Sequence, residues 1–143
     1  MRWLGVLLIA LCMTVTGRAA EPPPPLVLES TVPLKGVTGR IDHLAVDLAR
    51  KRLFVAELGN GTVDVIDLAA GKVMRRIEGL KDPQGLAYAP AADILAVASA
   101  GDGSVRLFRG AELSPAGTIG LGDDADNIRL DTRTGNFAGY EVG

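Results

Sequence analysis

Three observations predict an all-β fold for this chain. The sequence repeats itself at a spacing of 42 residues: His43–Asp47 (HLAVD) is echoed by Gly85–Ala89 (GLAYA) and again by Asn127–Asp131 (NIRLD). The turn pair Asn60-Gly61 returns at the same spacing as Asp102-Gly103. Beyond the N-terminal apolar run, no segment sustains the i, i+3, i+4, i+7 spacing of an amphipathic helix, and Gly and Pro interrupt it every few residues. A period of about 40–45 residues holding several short strands is that of a β-propeller blade. The chain therefore reads as blades of four antiparallel strands, about two and a half of them: roughly residues 39–80, 81–122 and an incomplete 123–143.

The N-terminus reads differently. Met1-Arg2 supplies a positive start, Trp3 to Val15 is almost unbroken apolar sequence, and Thr16-Gly17-Arg18-Ala19-Ala20 offers small residues for a peptidase. The apolar run is 13 residues, short of the roughly 20 that a membrane-spanning helix requires. Leu11 before Cys12 is too bulky for a lipoprotein site. Residues 1–19 are expected to be a cleaved signal peptide, with no stable membrane anchor and a periplasmic or secreted mature chain. Residues 20–33 are a spacer and lead-in, in which Pro22 to Pro25 hold an extended polyproline conformation. Residues 34–143 are the partial propeller.

Loss of Met1–Ala19 removes Arg2 and Arg18 from the 15 basic residues and none of the 17 acidic ones, so the mature chain carries a net charge of −4. An acidic domain without a basic stripe repels phosphate backbones, which excludes nucleic acid as the partner. Cys12 and Trp3, the only residues of their kinds, leave with the signal. The mature chain has no disulfide, thiol nucleophile or cysteine metal site.

Within the first repeat, Leu44–Val46 is short and apolar, and Leu53–Ala56 follows a polar turn at Ala49-Arg50-Lys51. Asn60-Gly61 is the strongest hairpin signal, predicting a type I′ turn with φ > 0 at both residues. Thr62–Ile66 leaves that turn with Val63 and Val65 on one face and Ile66 on the other, a pattern suited to a sheet buried on both sides. The turn Asp67–Gly71 leads to Lys72–Ile77. The second repeat supplies Leu86–Tyr88, Ile94–Ala98, Ser104–Phe108 and Ala116–Ile119 around Asp102-Gly103, and its Ala96, Ala98 and Ala100 predict close approach near an axis or between sheets. The third supplies Asn127–Asp131, a turn at Thr132–Gly135 and Asn136–Tyr140 as a partial second strand.

The run Leu53-Phe54-Val55-Ala56-Glu57-Leu58-Gly59-Asn60-Gly61-Thr62-Val63-Asp64-Val65-Ile66-Asp67 resembles the signature of the YVTN-type β-propeller repeat, in which an aromatic-Val strand leads through an Asn-containing turn to Val-x-Val-Ile-Asp. Gly71-Lys72-Val73 and Ile77 fit that family's last strand, and Ala56-Glu57 stands where the motif has Thr-Asn. The resemblance implies an exported bacterial protein of seven blades, of which this chain is expected to be a truncated portion. A propeller needs roughly 4–8 blades to close. The chain is expected to leave apolar blade faces and a strand edge uncovered, and hence to self-associate.

Candidate site residues cluster at the start of the repeated inner strand. Asp42-His43, Gln84-Gly85 and Asp126-Asn127 occupy equivalent places, where a propeller binds ligands at the mouth of its channel. The ligand-binding candidates are Asp42, His43, Gln84, Asp126 and Asn127, and the alternative role for them is to satisfy the loops between blades. Asp42 and His43 are adjacent, so plain strand alternation sends their side chains to opposite faces, and no catalytic residue is assigned. Asp123-Asp124-Ala125-Asp126-Asn127 clusters oxygen ligands but lacks the spacing and terminal Glu of a Ca²⁺ loop. Gly101-Asp102-Gly103 and Gly120-Leu121-Gly122 do not open helices, as a dinucleotide loop must. No metal or other cofactor is implied. The expected function is a non-catalytic binding or scaffold module whose partner is a small molecule or an envelope protein. The alternative is the remnant of a propeller enzyme, lactonase-like or dehydrogenase-type, lacking most of its active site.

Overall fold

Among the described residues ten strands follow a lead-in, and each of the first two sheets is a simple meander. The computed structural model describes residues 26–141; the expected signal at Met1–Ala19 and the run Pro22–Pro25 lie outside the described residues. Residues 26–40 form no strand or helix, but Val32, Leu34 and Val37 are half-buried. The strands β1 (Ile41–Asp47), β2 (Arg52–Glu57), β3 (Thr62–Asp67) and β4 (Lys72–Ile77) form the first sheet, in that order. The strands β5 (Pro83–Ala89), β6 (Ile94–Ser99), β7 (Ser104–Arg109) and β8 (Ser114–Gly120) form the second. Finally β9 (Ala125–Asp131) pairs with β10 (Asn136–Glu141). All pairings are antiparallel. Among the described residues no helix is long and apolar enough to cross a membrane.

The 42-residue period extends to the backbone. Lys51, Asp93 and Gly135 stand 42 apart and all have positive φ, as do Asp82 and Asp124, and Gly71 and Leu113. The inner strands are longer than their apolar runs predicted because each carries a bulge. The register of β1 on β2 shifts between Ile41 and Leu44, that of β5 on β6 between Pro83 and Leu86, and that of β9 on β10 opposite Tyr140 and Glu141. An extra residue absorbed in this way lets pairing continue past the bend.

The turn chemistry differs from expectation. Asn60-Gly61 and Asp102-Gly103 do not form type I′ turns. Leu58–Asn60 and Ala100–Asp102 are single 3-10 turns, and only the glycine after each is left-handed, with φ 66° at Gly61 and 60° at Gly103. Glu57 pairs with Thr62 and Ser99 with Ser104, so each loop holds four residues rather than two. Loops of that length are built around an αR turn, in which Asn and Asp keep φ negative.

Sheet faces alternate as β-strands must. Phe54, Ala56, Val63 and Val65 turn toward the second sheet and pack with its Leu86, Tyr88, Leu95, Val97 and Phe108. The Phe54 and Tyr88 ring centroids are 5.8 Å apart. Each Val, Leu or Phe side chain packed there contributes about 1.5–3 kcal/mol when fully buried, so this interface is the main core. A second cluster, Ala87, Ala96, Ala98, Val105, Ala125 and Ile128, joins the second sheet to β9. Ala96 and Ala98 give the expected close approach between sheets, while Ala100 lies in the 3-10 turn outside this cluster. A Cβ on Gly85 would lie 2.9 Å from the Ile128 amide nitrogen, so the bare backbone sets how near β9 can come. Ile66 and Val55, on the opposite face from Val65, are also buried, as expected for a sheet covered on both sides.

Candidate functional site

The inner strands β1, β5 and β9 stand side by side, β1 against β5 and β5 against β9. Their bulges therefore place Asp42, Gln84 and Asp126 at one end of the assembly. Arg40, just ahead of β1, reaches both sheets: its Nη2 donates to Asp42 Oδ2 at 2.7 Å and to Gln84 Oε1 at 3.0 Å. Sequence reasoning missed Arg40, which lies outside the repeated strand. The bulge also undoes the simple alternation expected of Asp42 and His43. His43 Nδ1 lies 2.9 Å from Asp42 Oδ1, within ion-pair distance though without hydrogen-bond geometry. Asp42, His43, Gln84 and Asp126 are half-buried. Asn127 is buried and accepts a hydrogen bond from Arg129 Nη1, which also donates to the Ile128 carbonyl at 3.1 Å. No three His, Cys, Asp or Glu side chains among the described residues are disposed to hold a metal ion.

Two polar clusters were not anticipated. The first clamps the two sheets together at the other end of the inner strands. Arg50 forms a two-pronged pair with Asp93, Nη1 to Oδ1 at 2.9 Å and Nη2 to Oδ2 at 2.6 Å, and Nη1 also meets Asp47 and the Tyr88 hydroxyl, each at 3.0 Å. The Tyr88 hydroxyl donates to Asp93 Oδ1 at 2.8 Å. Beneath it the buried Arg52 donates to Asp47 at 2.8 Å and to the Ala111 carbonyl at 2.7 Å. The hydrogen bonds from Arg50 and Tyr88 hold the Asp93 carboxyl below the usual range. Burial works to raise that of Asp47, but the bonds from Arg52 and Arg50 prevail and lower it. Burial and the adjoining Asp93 raise Tyr88.

The second cluster lies on the face of the first sheet that points away from the second. Glu57 and Asp64 are completely buried. Thr62 Oγ1 donates to Glu57 Oε2 at 2.5 Å, while Arg76 grips Asp64 through Nε and Nη2, both at 2.7 Å. Burial and the neighbouring Asp64 push the Glu57 carboxyl up. Burial acts the same way on Asp64, but Arg76 outweighs it and holds that group below the ordinary aspartate value. Glu57 Oε1 has no hydrogen-bond partner among the described residues, and Arg76 Nη2 lies 3.6 Å from Glu57 Oε2. The lead-in is strapped over this region. Arg76 donates to the Lys35 carbonyl, and Asn60 accepts from the Thr38 amide and donates to the Gly36 carbonyl, both at 2.8 Å.

Neither a protein-family model nor a curated protein matches the chain. Its structure is similar to a solved structure of Kuenenia stuttgartiensis hydrazine synthase, with a TM-score of 0.61 and 20% sequence identity over 75% of this chain. The match spans 30% of that protein's chain. At that identity the likeness concerns the fold: antiparallel meanders of four strands, repeated side by side.

Proposed function

We propose that this chain is an exported, non-catalytic binding or scaffold module of the β-propeller type, built from YVTN-like repeats. The observation that carries the reading is the shared bulge in β1, β5 and β9, which collects polar side chains from successive repeats at one rim. There Arg40 ties Asp42 to Gln84 across two sheets, which supports a preorganised surface for a small polar molecule or an envelope protein. The apolar strip at Leu44 and Val46, 55% and 41% exposed where their counterparts Leu86 and Tyr88 are 4% and 9%, supports self-association.

A second reading, the remnant of a lactonase-like or dehydrogenase-type propeller enzyme, is favoured by the contact between Asp42 and His43. A carboxylate beside an imidazole nitrogen is the orienting half of a general base. Three measurements test the proposal, the last two separating these readings. Periplasmic fractionation with intact mass determination is expected to find a chain starting at Ala20 or Glu21. Among small carboxylates, amino acids and sugars, at least one is expected to raise the thermal midpoint of the wild type but not of Gln84→Ala. Hydrolysis of a lactone that is lost in His43→Gln overturns the non-catalytic reading.

A further inference from the structure

The clamp between the first two sheets has a counterpart stripped of its charges. Its four residues, Asp47, Arg50, Tyr88 and Asp93, correspond 42 positions later to Ala89, Ala92, Leu130 and Gly135. These four, together with Pro90 and Thr132, border a pocket of about 160 Å³ between the second sheet and β9–β10. At the first interface the planar guanidinium of Arg50 fills this place, held by one tyrosine and two carboxylates. At the second, the arginine and both acids have become small apolar residues and the tyrosine a leucine. A pocket remains, but the groups that would hold a cation are replaced.

We propose that the pocket bordered by Ala89, Ala92 and Leu130 is a binding site for a small uncharged aromatic molecule of one ring. Its volume decides the size class. About 160 Å³ is room for one ring, close to an apolar cavity that accommodates benzene, whereas drug-sized ligands need roughly 300 Å³ or more. The notch is open along Pro90, Ala92, Thr132 and Gly135, so one edge of the ring stays in water. Its lining decides the chemistry. With Thr132 as the one polar side chain on its border, a charged ligand entering would lose hydration and gain no counter-ion. The occupant of the equivalent place in the first interface is itself flat and of about ring size, so the notch between repeats selects that shape. The site is separate from the rim of Asp42 and Gln84.

Benzene titrated into the full chain, labelled at alanine and leucine methyls, tests the proposal by NMR. The Ala89, Ala92 and Leu130 methyls are expected to shift saturably at millimolar concentration, while the buried Leu95 methyls stay in place. Ala92→Phe fills the notch from an exposed turn and is expected to weaken binding at least tenfold. The paired change Ala92→Arg with Gly135→Asp, which rebuilds part of the clamp, is expected to do the same. Unsaturable shifts in the wild type overturn the proposal. So does equal affinity in either variant whose Leu95 methyls show the fold intact.

Discussion

Three glycines of almost identical conformation separate backbone strain from crowding. Gly71, Gly61 and Gly103 have φ of 63°, 66° and 60°, so an alanine at each meets the same left-handed penalty, about 1–2 kcal/mol. Their surroundings differ. A Cβ on Gly71 meets nothing within 4 Å, one on Gly61 comes to 2.8 Å from the Leu80 carbonyl oxygen, and one on Gly103 overlaps the Gly122 carbonyl. Gly71→Ala should therefore cost about 1 kcal/mol, since its counterpart Leu113 already bears a side chain at φ 47°. Gly61→Ala should cost about 2 kcal/mol, the strain plus a few tenths of an ångström of loop movement. Gly103→Ala must displace the chain ahead of β9 and should cost about 3 kcal/mol or more, combining strain with overpacking. Urea unfolding at one pH, with the slope checked for constancy, measures all three. Equal costs, or a Gly71→Ala cost as large as that of Gly103→Ala, would refute the reasoning.

Glu57→Gln tests the raised Glu57 carboxyl. A carboxyl held above its unfolded value contributes stability that is present at low pH and lost as pH rises through the raised value. Wild type should therefore lose ground to Glu57→Gln above about pH 4.3, each tenfold gain in proton affinity on folding being worth about 1.4 kcal/mol; parallel stability profiles from pH 4 to 8 would contradict this. Asp47, Asp64 and Asp93 are held low, so their contribution has the opposite sign, present above about pH 3.9 and lost on acidification. Asn replacement at Asp64 should flatten the acid limb of a denaturation curve. A double-mutant cycle on Arg50→Ala and Asp93→Ala should give a favourable coupling that shrinks in 1 M salt, because the clamp is partly exposed; a coupling indifferent to salt would place its strength elsewhere. Gly85→Ala should push β9 away at a cost of about 1–3 kcal/mol, seen as faster amide exchange at Ile128 and Leu130; unchanged exchange would mean β9 yields without loss.

The repeat and its strands were legible because spacing and alternation are carried by many residues at once. The turn type was not. Asn-Gly serves both a two-residue turn and a four-residue loop ending in a left-handed glycine, and only the pairing of Glu57 with Thr62 distinguishes them. The bulges at Asp42-His43 and Gln84-Gly85 left no mark in side-chain chemistry, so the contact between Asp42 and His43 was hidden by an assumption of regular alternation. Asp64 shares the Ile66 face, but nothing in the repeat names its partner; its burial depends on Arg76 and on a lead-in with no place in the period. The clamp was invisible for a related reason. Arg50 and Asp93 belong to different repeats and neither recurs 42 residues on, so comparing repeats for likeness passes over them, while comparing them for differences finds the pair.

Each sheet pairs only strands that are consecutive in the chain, and this sets the order in which the molecule can be built. Hairpin contacts close short loops, whereas contacts between sheets join residues separated by about one repeat. Short-range closure is the faster event. A chain emerging N-terminus first would let β1 to β4 pair before β5 to β8 had emerged. That first sheet would still show Phe54, Val63 and Val65 to water until Leu86 and Leu95 arrived to cover them. The smallest cooperative folding unit is therefore a pair of neighbouring sheets, and a chain with only β1 to β4 free to fold would be a paired but sticky intermediate for chaperones to shield.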